Sequence, residues 1–285
     1  MIHPNFICYN GEFIRNDNFI ISPKNRAFSY GDGLFETIRT RNTEPLFYED
    51  HIIRLKNGLK ILELEPPANF DYSNLKGKII RLLNANKHFK GARIRLTIYR
   101  KDGGLYTPEK NEFEYLIESN ELENEVYTIN QRGLVVDIYP HISKPINILS
   151  NCKSLNSLIF IKAGLYKKAK NIDECILLNE NEHIVESISS NIFLVKKSKI
   201  YTPSLSEGCI DGIMRKQVIS IAKKLNLEVF DNGYMAPEDL MLADELLLSN
   251  AITGIQWVVG YKQKRFYNKT AIEIIRKLNE LILRN

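Results

Sequence analysis

The chain has 285 residues, 44% of them hydrophobic and 26% charged, so it is long enough for one large or two moderate domains with a buried site. Its formal net charge of +5 is spread along the sequence without a block of five like charges, which argues against a nucleic-acid-binding protein. The four cysteines lie far apart without C-x-x-C spacing, which argues against a zinc site or a disulfide framework and indicates reduced thiols.

The opening segment MIHPNFICYNGEF lacks the basic and apolar regions of a signal peptide. The sequence also contains no stretch of 18 apolar residues, the length that a membrane-spanning helix needs. We therefore expect a soluble, cytoplasmic protein that binds neither a membrane nor nucleic acid.

The first half of the chain predicts strands with two helices between them. The pair Asn10-Gly11 separates two short extended runs, which is typical of a tight hairpin. Residues 92–100 alternate apolar with basic or polar side chains and predict a half-buried strand. Residues 50–64 and 75–84 carry apolar side chains at helical spacing, with Asp50 as the candidate N-cap of the first helix. An antiparallel sheet covered by helices is an α+β unit.

A polar stretch over residues 118–133 separates this half from the next. We expect a smaller N-terminal α+β domain over residues 1–120, a linker over 121–132 and a larger C-terminal domain over 133–285. The second half predicts hairpins around residues 179–182 and over 191–203, and helices over 154–171, 212–227 and 270–283. The inward residues of the first of these helices are predicted to be Leu155, Leu158, Ile159 and Ala163.

Two charged residues of the second half are candidates for chemistry. Lys153 precedes a predicted helix, and Glu186 follows a little over thirty residues later, past a helix and a hairpin that can return the chain to its starting point. A desolvated lysine amine can form a Schiff base, and a carboxylate opposite it suits a ligand with an aldehyde at one end and a pyridine nitrogen at the other. Taken alone, each residue is more often a solvated surface charge.

Glu186 opens the segment VESISSNIF, in which small residues interrupt a strand pattern. We expect the strand to break there, so that the carboxylate leaves the hydrogen-bonded ladder. Further on, Gly208 and Gly212 flank a loop that leads into a helix at Ile213 and Met214. The N–H groups at such a helix start bind anions, most often phosphate, although an ordinary loop-to-helix transition explains the pattern equally well.

Six segments, in order and over nearly the whole chain, resemble the motifs of the class IV aminotransferases, which are the fold-type IV pyridoxal-phosphate enzymes. The resemblance implies a two-domain α+β fold, with a small N-terminal α/β sandwich and a larger β-barrel-like C-terminal domain, and a homodimer. The matching segments are RAFSYGDGLFETIRT (26–40), HIIRLKNGLKIL (51–62), KSLNSL (153–158), VESISSNIF (185–193), GIMRKQ (212–217) and LLLSNAITGI (246–255).

The resemblance also implies roles for individual residues around pyridoxal 5'-phosphate. Lys153 matches the lysine that holds the cofactor covalently and then moves the proton. Glu186 matches the carboxylate that pairs with the pyridine nitrogen, and Arg54 the arginine that binds the phosphate. The remaining phosphate contacts are expected from the backbone of Ile213 and Met214 and from the loop that contains Asn250, Ala251 and Ile252.

Members of this family catalyse different reactions, and Lys153, Glu186 and Arg54 match residues that all of these reactions need. FETIR, GIMR and SNAITGI are more similar to aminodeoxychorismate lyases, whereas Leu105 stands where those lyases carry an arginine. The best prediction is a 4-amino-4-deoxychorismate lyase of the folate pathway, which makes 4-aminobenzoate and pyruvate. A branched-chain or D-amino-acid aminotransferase that uses 2-oxoglutarate is the alternative, and a non-catalytic binding or scaffold homologue is a remote one.

The substrate of either reaction is a small amino or amino-carboxylate compound, whose carboxylates need a positive wall. A bidentate guanidinium fits a carboxylate best. The candidate substrate-binding residues are Tyr30, Arg95, Arg100 and Tyr106. A solvated strand face explains the two arginines equally well.

Overall fold

The computed structural model describes residues 5–284 and divides the chain into two compact units. Unit 1 comprises Met1–Val126 and Cys152–Asn156, and unit 2 comprises Tyr127–Asn151 and Ser157–Asn285. The first crossing between the units, at residues 126–127, lies inside the stretch predicted as a linker. The segment with Lys153 differs from the prediction, because it belongs to unit 1 and not to the C-terminal unit.

Unit 1 is a six-stranded antiparallel sheet with strand order β2-β1-β6-β5-β3-β4 and helices packed against it. Its apolar core contains one face of β5 together with buried leucines and isoleucines of the two longer helices. In chain order its elements are β1 (Phe6–Tyr9), β2 (Glu12–Arg15), α1 (Arg26–Tyr30), β3 (Gly33–Arg41), β4 (Glu44–Pro45), α2 (Tyr48–Ile61), α3 (Tyr72–Asn86), β5 (Gly91–Arg100) and β6 (Phe113–Leu122).

The local predictions for unit 1 are largely confirmed. Asn10 and Gly11 both have positive φ, 49° and 96°, as the tight turn between β1 and β2 requires. In β5 the apolar positions of the alternation are fully buried: Ala92, Ile94, Leu96 and Ile98. The N-cap prediction was wrong, because α2 begins at Tyr48 after Phe47, and Asp50 therefore lies in the first turn, where its charge favours the helix dipole.

Backbone hydrogen bonds explain why the segment with Lys153 joins unit 1. The amide of Phe35 donates to the carbonyl of Lys153 at 2.9 Å, and the amide of Leu155 donates to the carbonyl of Gly33 at 2.9 Å. Leu34 and Ser154 form the antiparallel bridge between them. These bonds lie at the beginning of β3, whereas β4 pairs with its end, at Thr40 and Arg41.

Unit 2 is a nine-stranded mixed sheet with the order β12-β11-β10-β13-β14-β7-β8-β9 and with β15 beside β14. Its elements are β7 (Leu134–Ile138), α4 (Leu158–Lys170), β8 (Glu174–Leu178), β9 (Ile184–Ser187), β10 (Asn191–Lys196), β11 (Lys199–Pro203), α5 (Ile213–Lys224), β12 (Glu228–Gly233), α6 (Asp239–Leu242), β13 (Glu245–Asn250), β14 (Gly254–Tyr261), β15 (Lys264–Arg265) and α7 (Lys269–Leu283).

The sheet of unit 2 curls back on itself. The amide of Ser187, at the end of β9, donates to the carbonyl of Ser190 at 2.7 Å, directly before β10. Because β9 is the last strand of the path and β10 lies within it, this bend turns one end of the sheet towards its middle. The curl confirms the barrel-like character expected of the larger domain.

The predicted hairpins and two of the three predicted helices of unit 2 are confirmed, whereas the start of α4 differs from the prediction. This helix begins at Leu158, and Leu155 lies before it in the extended segment. Of the four residues predicted to point inward, Ala163 is buried, while Leu158 is 77% exposed. Across residues 5–284, the helices are each too short or too polar to span a membrane.

Candidate active site

Glu186 is a buried carboxylate held within the sheet of unit 2. It lies on β9 opposite Leu177 of β8 and is 3% exposed. The strand therefore continues through Glu186, ends one residue later at Ser187, and is interrupted over residues 188–190. The expectation that the carboxylate leaves the ladder was wrong, because a side chain can point away from a sheet while its backbone stays paired.

Both oxygens of this carboxylate have partners. Oε1 accepts a hydrogen bond from the ammonium of Lys144, and Oε2 accepts one from the amide of Ile210 at 3.0 Å. Lys144 is itself buried, so the two residues form an ion pair shielded from water. A carboxylate can accept about four hydrogen bonds, so these contacts leave acceptor capacity on Glu186 for a ligand N–H.

The loop that binds Glu186 leads directly into the start of α5. Ile210 stands two residues before Gly212, the N-cap of this helix, and the side-chain amide of Asn191 donates to the carbonyl of Ile210 at 2.8 Å. Glycine has no side chain to accept hydrogen bonds from Ile213 and Met214, whose N–H groups begin the helix. The predicted anion site therefore lies on the same short loop as the predicted pyridine partner.

Gly212 is required by the close approach of a neighbouring side chain. A Cβ atom placed on it would lie 1.8 Å from Oδ1 of Asn191, although its φ of −73° suits any residue. The requirement is therefore steric rather than conformational.

The loop after β13 is fixed by its own asparagine. Oδ1 of Asn250 accepts from the amides of Ile252 and Thr253, both at 2.9 Å, and its Nδ2 donates to Ser190 at 3.0 Å. The carbonyl of Ala251 accepts a hydrogen bond from the hydroxyl of Tyr127 at 3.0 Å. The Asn250 side chain thus shapes the turn, and the phosphate contact expected of this loop stays a prediction.

In unit 1, Lys153 and Arg95 contact the same aromatic ring. The Lys153 ammonium lies 4.4 Å from the ring centroid of Phe35, and the Arg95 guanidinium carbon lies 3.9 Å from it. Burial, which the nearby Glu118 partly offsets, lowers the pKa of Arg95 from its usual value. Arg95 is therefore linked to Lys153 through the ring of Phe35, and a guanidinium is the side-chain group that fits a carboxylate best.

Arg54 is oriented by a buried carboxylate on the neighbouring strand. Its Nε and Nη2 donate to the two oxygens of Glu36 at 2.8 and 2.5 Å, and Nδ1 of His51 lies 2.6 Å from the same carboxylate. Burial alone would raise the pKa of Glu36, but the charge and hydrogen bonds of Arg54, followed by those of His51, hold it at about 2. Glu36 is therefore an anion that fixes the direction of the Arg54 guanidinium.

Arg100, predicted to bind substrate, is occupied by the protein itself. Its guanidinium donates to Asp32, to Asn111 and to the carbonyls of Leu62 and Glu63, at 2.6–3.2 Å. The side chain is 8% exposed, so these bonds make it part of the internal framework. The substrate contact expected of Arg100 has no support in this arrangement.

The loop over residues 101–108 is held by a second buried arginine. Arg26 binds Asp32 through Nε and donates through Nη1 to the carbonyls of residues 103, 104 and 105 at 3.0, 3.3 and 2.6 Å. Tyr30 and Tyr106 meet with ring centroids 5.6 Å apart, although Tyr106 is 90% exposed. Tyr30 at the end of α1 thus contacts Tyr106, which lies in the loop that Arg26 anchors.

The residues that sequence reasoning missed are mainly the partners of those it found: Lys144 beside Glu186, Glu36 and His51 beside Arg54, and Arg26 beside the loop. Glu36 and Arg26 lie inside the motif RAFSYGDGLFETIRT. Glu36 interrupts an apolar strand pattern there, and a charged residue in such a pattern could have indicated a buried carboxylate. Lys144 stands in PHISKPINI, whose two prolines indicate an ordinary loop and whose single lysine carries no signal of its own.

Glu36 makes the stability of unit 1 sensitive to acid. Because its pKa is about 2 in the folded protein and 4.5 in a model peptide, its stabilising effect is full above pH 4.5 and is lost as the pH falls towards 2. The loss amounts to about 3 kcal/mol in the free energy of unfolding. Denaturant titrations at pH 7 and pH 3 should show about 2 kcal/mol of this loss, because the folded-state pKa lies below pH 3. Glu36→Gln should lower the stability at pH 7 and flatten this pH dependence. An equal slope in both proteins would contradict the assignment.

Gly212→Ala should displace Asn191 and break its hydrogen bond to Ile210. We expect a decrease of about 1–3 kcal/mol in the free energy of unfolding. Gly164→Ala on α4 is the matched control, since a Cβ there has open space within 4 Å. In an Asn191→Ala background the cost of Gly212→Ala should shrink, and an undiminished cost would exclude the steric explanation.

Comparisons with known proteins identify the family. The sequence profile of the family "Amino-transferase class IV" matches residues 33–261. An aminodeoxychorismate lyase of Bacillus subtilis is 31% identical over 256 residues, which cover 87% of this chain and 84% of that protein. A putative branched-chain-amino-acid aminotransferase of Methanocaldococcus jannaschii is 29% identical over 283 residues, which cover 96% of this chain and 94% of that protein.

A solved structure confirms the fold. The branched-chain aminotransferase from Thermoproteus uzoniensis with norvaline superposes with a TM-score of 0.89 at 22% identity, over 99% of this chain and 95% of that one. Together with the profile match, this similarity confirms the family resemblance found in the motifs. The chain belongs to the class IV aminotransferases and is a pyridoxal 5'-phosphate-dependent enzyme, either a lyase or an aminotransferase.

Proposed function

We propose that the protein is a 4-amino-4-deoxychorismate lyase, which eliminates pyruvate from its substrate and releases 4-aminobenzoate for folate synthesis. The observation that carries this choice is the 31% identity to the Bacillus subtilis lyase over 87% of the chain. The segments FETIR, GIMR and SNAITGI support it, since they resemble lyases more than aminotransferases. Lys153, Glu186 and Arg54 do not enter the choice, because both reactions need them.

The residues of the site fit pyridoxal 5'-phosphate. The start of α5 offers backbone N–H groups to a phosphate, and the same loop holds a buried carboxylate with acceptor capacity for a pyridinium N–H. When bound, this cofactor supplies an aldehyde for the substrate amine and a ring that accepts electrons. We assign the phosphate contacts to Arg54 and to the backbone of Ile213, Met214 and residues 250–251.

The roles of the remaining residues follow from their chemistry. Lys153 holds the cofactor and then takes the proton from the substrate carbon that carries the amino group. In the lyase reaction this proton leaves the six-membered ring of the substrate, and the C–O bond between that ring and the enolpyruvyl group breaks. The substrate ring becomes aromatic as 4-aminobenzoate, and no second substrate is needed. Arg95 binds a substrate carboxylate, and Tyr30 and Tyr106 offer hydroxyl groups for hydrogen bonds to the substrate.

The alternative is a branched-chain or D-amino-acid aminotransferase. The relative from Methanocaldococcus jannaschii favours it, because that similarity extends over 96% of the chain. A transaminase must bind two substrates in turn and return the amino group to a keto acid such as 2-oxoglutarate.

The family resemblance further supports a homodimer, which sedimentation analysis would test.

The four cysteines are buried free thiols, which suits a reducing compartment such as the cytoplasm.

Incubation with aminodeoxychorismate separates the two reactions. We expect release of pyruvate and 4-aminobenzoate in equal amounts, without any requirement for 2-oxoglutarate. Amino-group transfer from leucine or D-alanine to 2-oxoglutarate, with no pyruvate released from aminodeoxychorismate, would replace the lyase by the aminotransferase.

Two variants test the assignment of the cofactor residues. Lys153→Ala should lose the absorbance band of lysine-bound pyridoxal phosphate and all turnover. Glu186→Ala should keep the covalently bound cofactor but lose most turnover, because the ring nitrogen loses its anionic partner. A wild-type protein that stays colourless after incubation with pyridoxal phosphate would exclude the cofactor assignment, and full activity of Glu186→Ala would exclude the role of Glu186.

Arg95→Gln tests the carboxylate site. Loss of a charged hydrogen bond of about 1.5–3 kcal/mol should raise KM for the substrate about 10- to 100-fold. Arg93→Gln is the matched control, since it removes the same charge from the same strand, two residues earlier, where Arg93 faces Arg39 and Asn120 in register. Equal effects of the two variants would indicate a general electrostatic effect and contradict a direct contact.

A further inference from the structure

The ion pair between Lys144 and Glu186 is among the most buried in the described chain. Their side chains are 7% and 4% exposed, and they come from segments 42 residues apart. Lysine and glutamate are rarely buried to this extent unless they are paired. A pair of this kind costs desolvation energy and is weak evidence for a role in stability, so its retention calls for another explanation.

Backbone hydrogen bonds join the segments of both partners to β8. Glu186 lies opposite Leu177 in the register of β8 and β9, and the amide of Lys144 donates to the carbonyl of the next residue, Leu178, at 2.8 Å. Lys144 also bridges to Asn179. The backbone of Lys144 is therefore fixed to the end of β8, beside the strand that pairs with Glu186.

Lys144 is the cation that contacts the Glu186 carboxylate, which also accepts a hydrogen bond from the uncharged amide of Ile210. Arg215 is buried in the same unit, but its Nη2 donates to the carbonyls of Pro203 and Asp231 at 2.9 and 3.4 Å. Burial, and then the charge of Glu186, raises the pKa of the neighbouring Cys209 thiol to about 12, so this thiol stays neutral.

The protonation of Glu186 matters because of what it must bind. A carboxylate accepts a hydrogen bond from a pyridinium N–H and so keeps the proton on the ring nitrogen. A buried carboxyl without a compensating cation takes up a proton itself, since burial penalises the charged form. It would then donate to the ring nitrogen, and the ring would lose the positive charge that makes it accept electrons.

We propose that Lys144 is a positioning residue for the cofactor: its buried ammonium keeps Glu186 ionised and aimed, so that Glu186 holds the proton on the pyridine nitrogen of pyridoxal phosphate. This inference rests on the proposed use of the cofactor by Lys153 and Glu186. Lys144 would thus influence how strongly the bound cofactor accepts electrons by way of its ion pair with Glu186.

The test compares a neutral and a charged replacement. Lys144→Gln keeps a hydrogen-bond donor but removes the charge, whereas Lys144→Arg keeps both. Lys199→Gln is the matched control, because Lys199 pairs with Glu228 at 2.7 Å in the same unit but on its exposed surface. Each protein is loaded with pyridoxal phosphate carrying ¹⁵N in the ring, and the ¹⁵N chemical shift reports whether that nitrogen is protonated.

We expect the ring nitrogen to be protonated in the wild type, Lys144→Arg and Lys199→Gln, and unprotonated in Lys144→Gln. Turnover should fall about 10- to 100-fold in Lys144→Gln, as is common when the partner of a functional group is removed, and should recover in Lys144→Arg. A protonated nitrogen in a folded Lys144→Gln would overturn the proposal, whatever its turnover.

A second readout does not need the cofactor. In the protein without pyridoxal phosphate, the infrared carboxyl band that disappears on Glu186→Gln reports the protonation of Glu186. We expect an ionised Glu186 at neutral pH in the wild type and a protonated one in Lys144→Gln. If Lys144→Gln does not fold, the wild-type measurement decides alone, because a protonated Glu186 at neutral pH excludes the proposal and an ionised one supports it.

Failure of the proposed cofactor use is distinguishable from failure of this inference. A wild-type protein that takes up no pyridoxal phosphate contradicts the first. A wild type that binds the cofactor, while Lys144→Gln retains an ionised Glu186 and a protonated ring nitrogen, contradicts the second.

Discussion

Glu36 and Glu186 are buried carboxylates, and a buried charge is tolerated only when a partner inside the protein replaces the water it has lost. Glu36 meets this constraint through Arg54 and His51, and Glu186 meets it through Lys144 and the amide of Ile210. Each carboxylate finds its partners within its own unit. Positions of the functional groups are therefore set by pairing as much as by apolar packing.

Each of these charge clusters fixes a different candidate residue or segment within its own unit. Glu36 aims the guanidinium of Arg54, whereas Glu186 ties β9 to the loop that starts α5. A third cluster joins Asp32 to Arg26 and Arg100 and thereby anchors the loop at residues 103–105. Groups held in this way need little rearrangement when a ligand binds, which is the condition for accurate positioning of reacting atoms.

Sequence reasoning succeeded where the determinants are local. The hairpin at Asn10-Gly11, the alternation in β5 and the helix after Gly212 each depend on neighbours within a few residues, and each was confirmed. Sequence reasoning failed where pairing with a distant strand decides whether a segment is helical or extended. Leu155 has a helical spacing with the residues after it, yet its amide bonds to Gly33, so the segment is extended and α4 begins at Leu158.

The amino-acid sequence by itself determined the family, the cofactor and the identity of Lys153, Glu186 and Arg54 as its expected residues, because short motifs in fixed order carry that information. Tertiary structure alone decided which charges meet. It placed Lys144 against Glu186 across 42 residues, brought Glu36 to Arg54 across 18, and used Arg100 for an internal network with Asp32 across 68. Ion pairs between distant segments leave no periodic pattern in the chain, since their partners are chosen by the path of the backbone and the cost of burying a charge.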